Sequence, residues 1–111
     1  MKSLKFIVTA VLAVFMSVQI YAQTPKTETF KVSGNCDMCK STIEKAAKSA
    51  GVSTAVWDKK AKVISVTYDP SKVKTDDIHK KIAASGYDTE KVKATDAAYA
   101  KLHSCCKYKR S

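Results

Sequence analysis

Apolar and polar residues along this chain follow two different periods, and the changes of period mark the predicted elements. Residues 27–32 alternate one by one, which predicts a strand with one buried face. Across residues 38–50 the apolar positions recur every three or four residues, which predicts a helix that ends at Gly51. Single alternation returns at residues 52–57 and 63–68, and the polar residues between these two segments suit a hairpin connection.

A second helix and a short strand complete the pattern after Pro70, which ends the third strand because proline cannot donate to a ladder. We expect Thr75 to cap this helix, whose apolar face includes Ile78 and Ile82. Residues 87–92 are the candidate for the last strand. The order strand, helix, strand, strand, helix, strand predicts an α+β fold, the ferredoxin-like βαββαβ sandwich with two helices on one face of a four-stranded antiparallel sheet.

Residues 1–22 have the composition of a signal peptide. Lys2 and Lys5 precede an uncharged run over residues 6–20, and the small residue Ala22 offers a cleavage position. The run is shorter than a membrane-spanning helix requires, so we expect cleavage, export and a periplasmic location. An uncleaved membrane anchor stays open as the alternative, because Ile20 is larger than the residue preferred three places before a cut.

The chain is strongly basic, with 20 Lys and Arg against 10 Asp and Glu and a formal net charge of +10. Cleavage after residue 22 would remove two lysines, which leaves 18 basic and 10 acidic residues and a net charge of +8. The lysines are spread without an aromatic-lined stripe, so they indicate a solvated surface rather than a nucleic-acid interface. Attraction to an acidic partner or an anionic membrane face stays open. No Ser-His-Asp set or paired carboxylates stand in a motif, so we expect no enzymatic activity.

The chemistry of the chain concentrates in a Cys-x-x-Cys pair, Cys36 and Cys39, at the predicted junction of strand and helix. Unpaired N–H groups and the helix dipole stabilise thiolates at the start of a helix, and Lys40 adds a nearby cation. Two thiolates without a cluster of His, Asp or Glu favour a soft monovalent ion. Cu(I) is therefore the first candidate, and Zn(II) and Hg(II) are the alternatives.

Two motifs resemble those of the heavy-metal-associated domain: Gly34-Asn35-Cys36-Asp37-Met38-Cys39 at the first strand-helix junction, and Ser85-Gly86-Tyr87 after the second helix. The resemblance covers about residues 27–93, within a domain that we place at residues 23–93. The family includes copper chaperones, cytosolic domains of copper-exporting ATPases and periplasmic mercury-binding proteins. It therefore implies a metal chaperone or scavenger, with a transporter domain as donor or acceptor of the ion. The resemblance also implies that Tyr87 shields the ion; an ordinary half-buried strand tyrosine is the equal alternative.

The chain departs from the family pattern at the cysteine loop. Family members usually carry Gly-Met-Thr-Cys-x-x-Cys, whereas here only Asn35 separates Gly34 from Cys36. The methionine that packs under the loop is missing from its place, and Met38 lies between the two cysteines instead. We expect Met38 to fill a gap in the core, and its thioether is a weaker candidate as a third ligand.

Residues 94–111 form a C-terminal extension that the family domain does not include, and it carries Cys105 and Cys106. We expect Thr95 to cap a helix over residues 97–102 that leads into these cysteines. The extension is long enough to return to the Cys-x-x-Cys loop, so four cysteines can share a site that suits Zn(II) or a tightly held Cu(I). We expect one of the adjacent pair to dominate. An intramolecular disulfide and free or intermolecular thiols are the alternatives.

His103 is a further candidate ligand because it lies two residues from Cys105, although a surface position is the more ordinary one. We expect His79 at the surface without a role. The rival function is a thiol–disulfide redox protein that uses the same Cys pair in an oxidising compartment. We prefer metal binding, because the element order is not thioredoxin-like and no proline is placed to lie across from the pair.

Overall fold

Seven short elements make up the part of the chain that the computed structural model describes, residues 24–110. They are the strands β1 (Lys26–Lys31), β2 (Thr54–Asp58) and β3 (Val63–Tyr68), the helices α1 (Asp37–Ser49), α2 (Thr75–Ala84) and α3 (Asp96–Ala100), and a 3₁₀ turn (Ser104–Cys106). None of the helices in this range combines enough length with enough apolar character to cross a bilayer. The predicted signal peptide at residues 1–22 lies outside the described residues.

The three strands form an antiparallel sheet in the order β1-β3-β2, so β3 is central. One face of β3 is buried through Ile64, Val66 and Tyr68, as the alternation of its sequence predicts. The helices supply the other half of a single core, in which Ile43 of α1 and Ile78 of α2 are fully buried. The α+β class and the packing of two helices on one sheet are therefore confirmed.

The predicted fourth strand is wrong, because residues 87–92 contribute only one isolated bridge to the described sheet, between Thr89 and Val32. A tight turn interrupts the strand. The Thr89 N–H donates to the carbonyl of Val92 at 2.8 Å, and the Thr89 hydroxyl accepts the two backbone N–H groups of residues 91 and 92. Residues 88 and 90 each make one backbone hydrogen bond with residues 33 and 31, but the Val92 N–H turns back to the Thr89 hydroxyl instead of continuing the pairing. The sheet of residues 24–110 therefore has three strands.

Two of the three residues predicted to end or cap a helix have that role, and the third does not. Gly51 follows α1 with a φ of 106°, a left-handed conformation that suits glycine. The Thr95 hydroxyl accepts a backbone N–H from the first turn of α3 and caps it, as predicted. Thr75 does not cap α2, because the N-cap residue is Lys74 and the Thr75 hydroxyl pairs with that of Tyr68.

His79 is fully buried, so the expectation of a surface histidine is wrong. It lies three and four residues before Ile82 and Ala83, which places it on the apolar face of α2. Its ring stacks on Phe30 with the centroids 3.9 Å apart, and its Nδ1 pairs with the Thr89 hydroxyl at 2.7 Å. Burial lowers the pKa of His79, which favours the neutral ring. Its contacts are those of a core residue.

Candidate metal centre

The loop between β1 and α1 is held against Trp57 of β2. The buried indole leaves no room for a side chain at Gly34, because a Cβ there would lie 2.8 Å from the ring. The indole Nε1 donates to the carbonyl of Val32 at 3.0 Å, and the Lys62 ammonium donates to the carbonyl of Gly34. These contacts fix the backbone that leads into Cys36.

Met38 is exposed over 49% of its surface, so the expectation that it fills a gap in the core is wrong. The Trp57 ring already occupies the space under the loop at Gly34. The buried position in the first turn of α1 belongs to Cys39, which is 0% exposed. The start of α1 therefore turns Cys39 to the interior and leaves Met38 at the surface.

Cys36 and Cys39 are linked to each other at the start of α1. Cys36 is the N-cap residue, and the sulfur of each cysteine accepts the backbone N–H of the other in a capping-box arrangement. The Cys39 sulfur lies 3.4 Å from the backbone N of Cys36 and 3.5 Å from that of Asn35. The two sulfurs are 3.3 Å apart. Backbone donors thus face both sulfurs, as expected at a helix start.

The surroundings of the cysteines separate their pKa values. The Cys39 backbone N–H lowers the pKa of Cys36 to about 6, and hydrogen bonds from the neighbouring thiols outweigh the opposing effect of burial. Burial raises the pKa of Cys106, and hydrogen bonding with Cys36 raises the pKa of Cys105. Near neutral pH, Cys36 is therefore a thiolate, which is the form that binds soft cations.

The extension brings both of its cysteines to this loop. The Sγ atom of Cys36 lies 3.3 Å from that of Cys105 and 3.6 Å from that of Cys106. The Sγ atoms of Cys36, Cys39 and Cys106 all lie within 4.8 Å of one another, and we call them the three-sulfur cluster. All four cysteines are free thiols in this structure. The arrangement can offer three sulfur ligands to a single ion.

The two adjacent cysteines differ in burial. Cys106 is 1% exposed and belongs to the core, whereas Cys105 is exposed. Their sulfurs are 3.9 Å apart. The geometry therefore divides the pair into a buried sulfur within the three-sulfur cluster and an exposed sulfur beside it.

The last described residues anchor the extension to the domain, a role that sequence analysis did not assign. The buried Tyr108 hydroxyl accepts the Asp88 N–H and donates to the Gly86 carbonyl, both at 2.9 Å. The Arg110 guanidinium donates two hydrogen bonds to the Asp88 carboxylate, at 2.9 and 3.2 Å. The signal in the sequence was the pair of tyrosines, Tyr99 and Tyr108, since aromatic residues in a short tail indicate packing against a core.

The helix of the extension is shorter than predicted. It ends at Ala100, and the chain then passes through Leu102 into the 3₁₀ turn that contains Cys106. Gly86 allows this segment to approach, because its φ is 104° and a Cβ there would lie 2.8 Å from the Leu102 side chain. The glycine after α2 therefore shapes the path of the extension.

Tyr87 and His103 lie on the extension's side of the site. Tyr87 is 1% exposed, so it is more deeply buried than the half-buried strand tyrosine expected as one alternative. Its ring stacks on that of Tyr108. Burial raises the pKa of Tyr87, and a hydrogen bond with Cys106 adds to the rise. His103 is exposed and lies outside the three-sulfur cluster, but with Tyr87 and Cys106 it lines an open cavity of about 430 Å³.

A comparison of the sequence with known families is consistent with a metal-binding site at these cysteines. Residues 29–88 match the family described as "Heavy-metal-associated domain". This chain belongs to that family. The matched residues include Cys36, Cys39 and Tyr87, whereas Cys105 and Cys106 lie beyond them. Domains of this family are in general metal-binding chaperone domains rather than enzymes.

Solved structures with the same fold include a chaperone and a transporter region. The "CopZ metallochaperone" is 33% identical, with a TM-score of 0.56 over 58% of this chain and 98% of that one. The water-soluble region of the P-type ATPase CopA from Bacillus subtilis is 33% identical, with a TM-score of 0.56 over 60% of this chain and 46% of that one. Oxidized MerP from Ralstonia metallidurans CH34 is 28% identical, with a TM-score of 0.57 over 60% and 96%. No curated protein matches the chain in sequence.

Proposed function

We propose that this protein is an exported Cu(I)-binding protein, a chaperone or scavenger that holds one ion between Cys36, Cys39 and Cys106. The observation that carries the proposal is the convergence of three sulfurs within 4.8 Å of one another at the start of α1. Thiolates that bind one ion at ~2.3 Å lie about 3.8 to 4.0 Å apart in tetrahedral or trigonal geometry. Separations of 3.3 and 3.6 Å from Cys36 therefore need only small shifts to accept an ion.

The donor set supports Cu(I) as the ion. The cluster consists of sulfur atoms alone, and soft thiolates select soft ions. A structural Zn(II) site requires four ligands, and the fourth would have to be the exposed Cys105. Zn(II) and Hg(II) are the competing ions. His103 and Met38 are both exposed, so neither is part of the ligand set that we propose.

The proposal extends to location and partner. Residues 1–22 act as the signal peptide, residues 23–93 as the metal-binding domain and residues 94–111 as the extension that completes the site. The shared fold with the soluble region of a P-type ATPase supports a transporter domain of this kind as donor or acceptor of the ion. Cell fractionation tests the export: a chain that starts after residue 22 in the soluble exported fraction is expected, and a membrane-bound chain that retains residues 1–22 would contradict it.

Anaerobic titration of the reduced protein with Cu(I), Zn(II) and Hg(II) tests the metal proposal. We expect one Cu(I) per chain by native mass spectrometry, with charge-transfer absorption in the ultraviolet that is lost in the Cys36→Ser/Cys39→Ser variant. Ser41→Ala, an exposed change in the same helix, is the matched control and should bind as the wild type does. Absence of Cu(I) uptake, together with rapid exchange with a small disulfide, would instead favour the redox function.

A further inference from the structure

Cys105 lies in contact with the three-sulfur cluster but outside it. Its Sγ atom is 3.3 Å from that of Cys36 and 3.9 Å from that of Cys106. It is exposed, whereas Cys39 and Cys106 are 0% and 1% exposed. This thiol therefore touches both the site and the solvent.

The sulfurs of the cluster differ in exposure. Cys39 and Cys106 are buried, and Cys36 is half-buried. Cys36 is therefore the cluster cysteine that a ligand from another molecule meets most readily, and the exposed Cys105 lies next to it. Soft ions pass between thiolates by exchange in which a new bond forms before an old one breaks. Each sulfur along such a path must lie next to the following one, and Cys105 meets that condition.

The 3₁₀ turn holds the two cysteines differently. The Cys106 N–H donates to the His103 carbonyl at 2.8 Å, and the Cys106 carbonyl accepts the N–H of the buried Tyr108 at 2.9 Å. Cys106 is thus held by its backbone and by the core around its side chain. Cys105 lies in the same turn but is not part of the core, so its sulfur can bind an ion without disturbing the buried packing.

We propose that Cys105 is the exchange ligand of this site, which binds Cu(I) during transfer while the three-sulfur cluster holds the ion at rest. The inference rests on the proposed function, because it requires Cu(I) in the cluster. In the exchange step Cys105 gives its thiol proton to water as its sulfur bonds to Cu(I). The bond from Cu(I) to Cys39 or Cys106 breaks, and that sulfur takes up a proton. Copper stays Cu(I) throughout, so the step needs no oxidant or reductant.

The test separates transfer of the ion from holding it. Reduced protein loaded with one Cu(I) is mixed anaerobically with excess bathocuproine disulfonate, a chelator that is coloured when it binds Cu(I), and transfer is followed by stopped flow. Equilibrium competition with the same chelator gives the affinity. We expect Cys105→Ser to slow transfer at least about tenfold while the affinity stays within about threefold, and Cys106→Ser to weaken the affinity at least about tenfold. Ser104→Ala, the exposed neighbour, is the matched control and should change neither quantity.

Two results would overturn the inference while the proposed function stands. One is transfer from Cys105→Ser at the wild-type rate. The other is a loss of affinity in Cys105→Ser as large as that in Cys106→Ser, since Cys105 would then be a holding ligand. Cys105→Ala serves as a second variant that must reproduce the slow transfer. If the wild-type protein binds no Cu(I), the proposed function fails, and this inference fails with it.

Discussion

The sulfur atoms of Cys36 and Cys106 lie 3.6 Å apart, although 70 residues separate them along the chain. Cys36 belongs to the family domain, whereas Cys106 lies beyond its matched residues. Bringing distant residues together costs conformational entropy. The contacts of Tyr108 and Arg110 with the domain offset part of that cost. The extension is therefore packed against the domain and contributes Cys106 to the three-sulfur cluster.

Replacing Cys106 with Ser tests its place in the site. We expect Cu(I) affinity to fall at least about tenfold, or about 1.4 kcal/mol, because a hydroxyl is a poor ligand for a soft ion. Competition with a Cu(I) chelator measures the affinity, and native mass spectrometry measures the stoichiometry. An unchanged titration of the Cys105→Ser/Cys106→Ser variant would contradict any shared site.

Replacing Gly86 with Ala tests the path of the extension. Its φ is 104°, and a Cβ would lie 2.8 Å from the Leu102 side chain and 2.9 Å from the Ala98 carbonyl oxygen. We expect a loss of about 1–2 kcal/mol in the free energy of unfolding from the backbone alone, together with weaker Cu(I) binding as α3 is displaced.

Gly51→Ala is the matched control for this change. Gly51 has a φ of 106° and its added Cβ would approach Val73, in a contact that does not involve the extension. We expect a similar loss of stability, measured by urea unfolding, with unchanged Cu(I) affinity. Equal losses of affinity in both variants would show that instability, rather than the path of the extension, controls binding.

The ion pair between Asp88 and Arg110 should make stability depend on acid pH. Burial alone would raise the pKa of Asp88, but the Arg110 guanidinium and the Ala94 N–H outweigh it and hold the pKa below its usual value. Because the folded pKa is below the unfolded one, this stability is present above about pH 4 and is lost as pH falls through the folded pKa. In the Asp88→Asn variant, the free energy of unfolding should therefore decrease less steeply as the pH is lowered; we call this acid part of the pH dependence the acid limb.

Asp96→Asn is the control for that measurement. Asp96 pairs with the same guanidinium at 2.9 Å, but its side chain is fully exposed, so its pairing is screened by solvent. We expect the acid limb of this variant to follow the wild type. A limb flattened as much as in Asp88→Asn would refute the assignment to the partly buried pair.

Alkylation of Cys36 should follow its pKa of about 6. Iodoacetamide reacts with the thiolate, so the rate at Cys36 should rise with pH through about 6 and level off above about 7. Burial raises the pKa of Cys106, which should stay unmodified in the folded protein over this range. Peptide mapping of the reduced, metal-free protein gives both rates. A rate at Cys36 that still climbs steeply above pH 8 would disagree with this account.

Local sequence patterns predicted much of the fold, and the length of the extension indicated that its cysteines could reach the Cys-x-x-Cys loop, as they do. The bounds of β3 followed from the alternation over Val63–Tyr68. The fourth strand failed because the Thr89 hydroxyl captures backbone donors, a competition that alternation does not reveal. The prediction that Met38 fills a gap in the core was wrong because Trp57, which is distant in sequence, occupies the space under the loop. The division between Cys105 and Cys106 depends on the 3₁₀ turn, which no sequence period indicates.

The coordination number of Cu(I) tests the central claim most directly. Copper K-edge X-ray absorption fine structure, recorded on the reduced protein loaded with one Cu(I), counts the sulfur atoms bound to the ion. We predict three sulfur neighbours in the wild type and in Cys105→Ser, and two in Cys106→Ser. Two sulfur neighbours in the wild type, unchanged in Cys106→Ser, would contradict the claim that the extension completes the site.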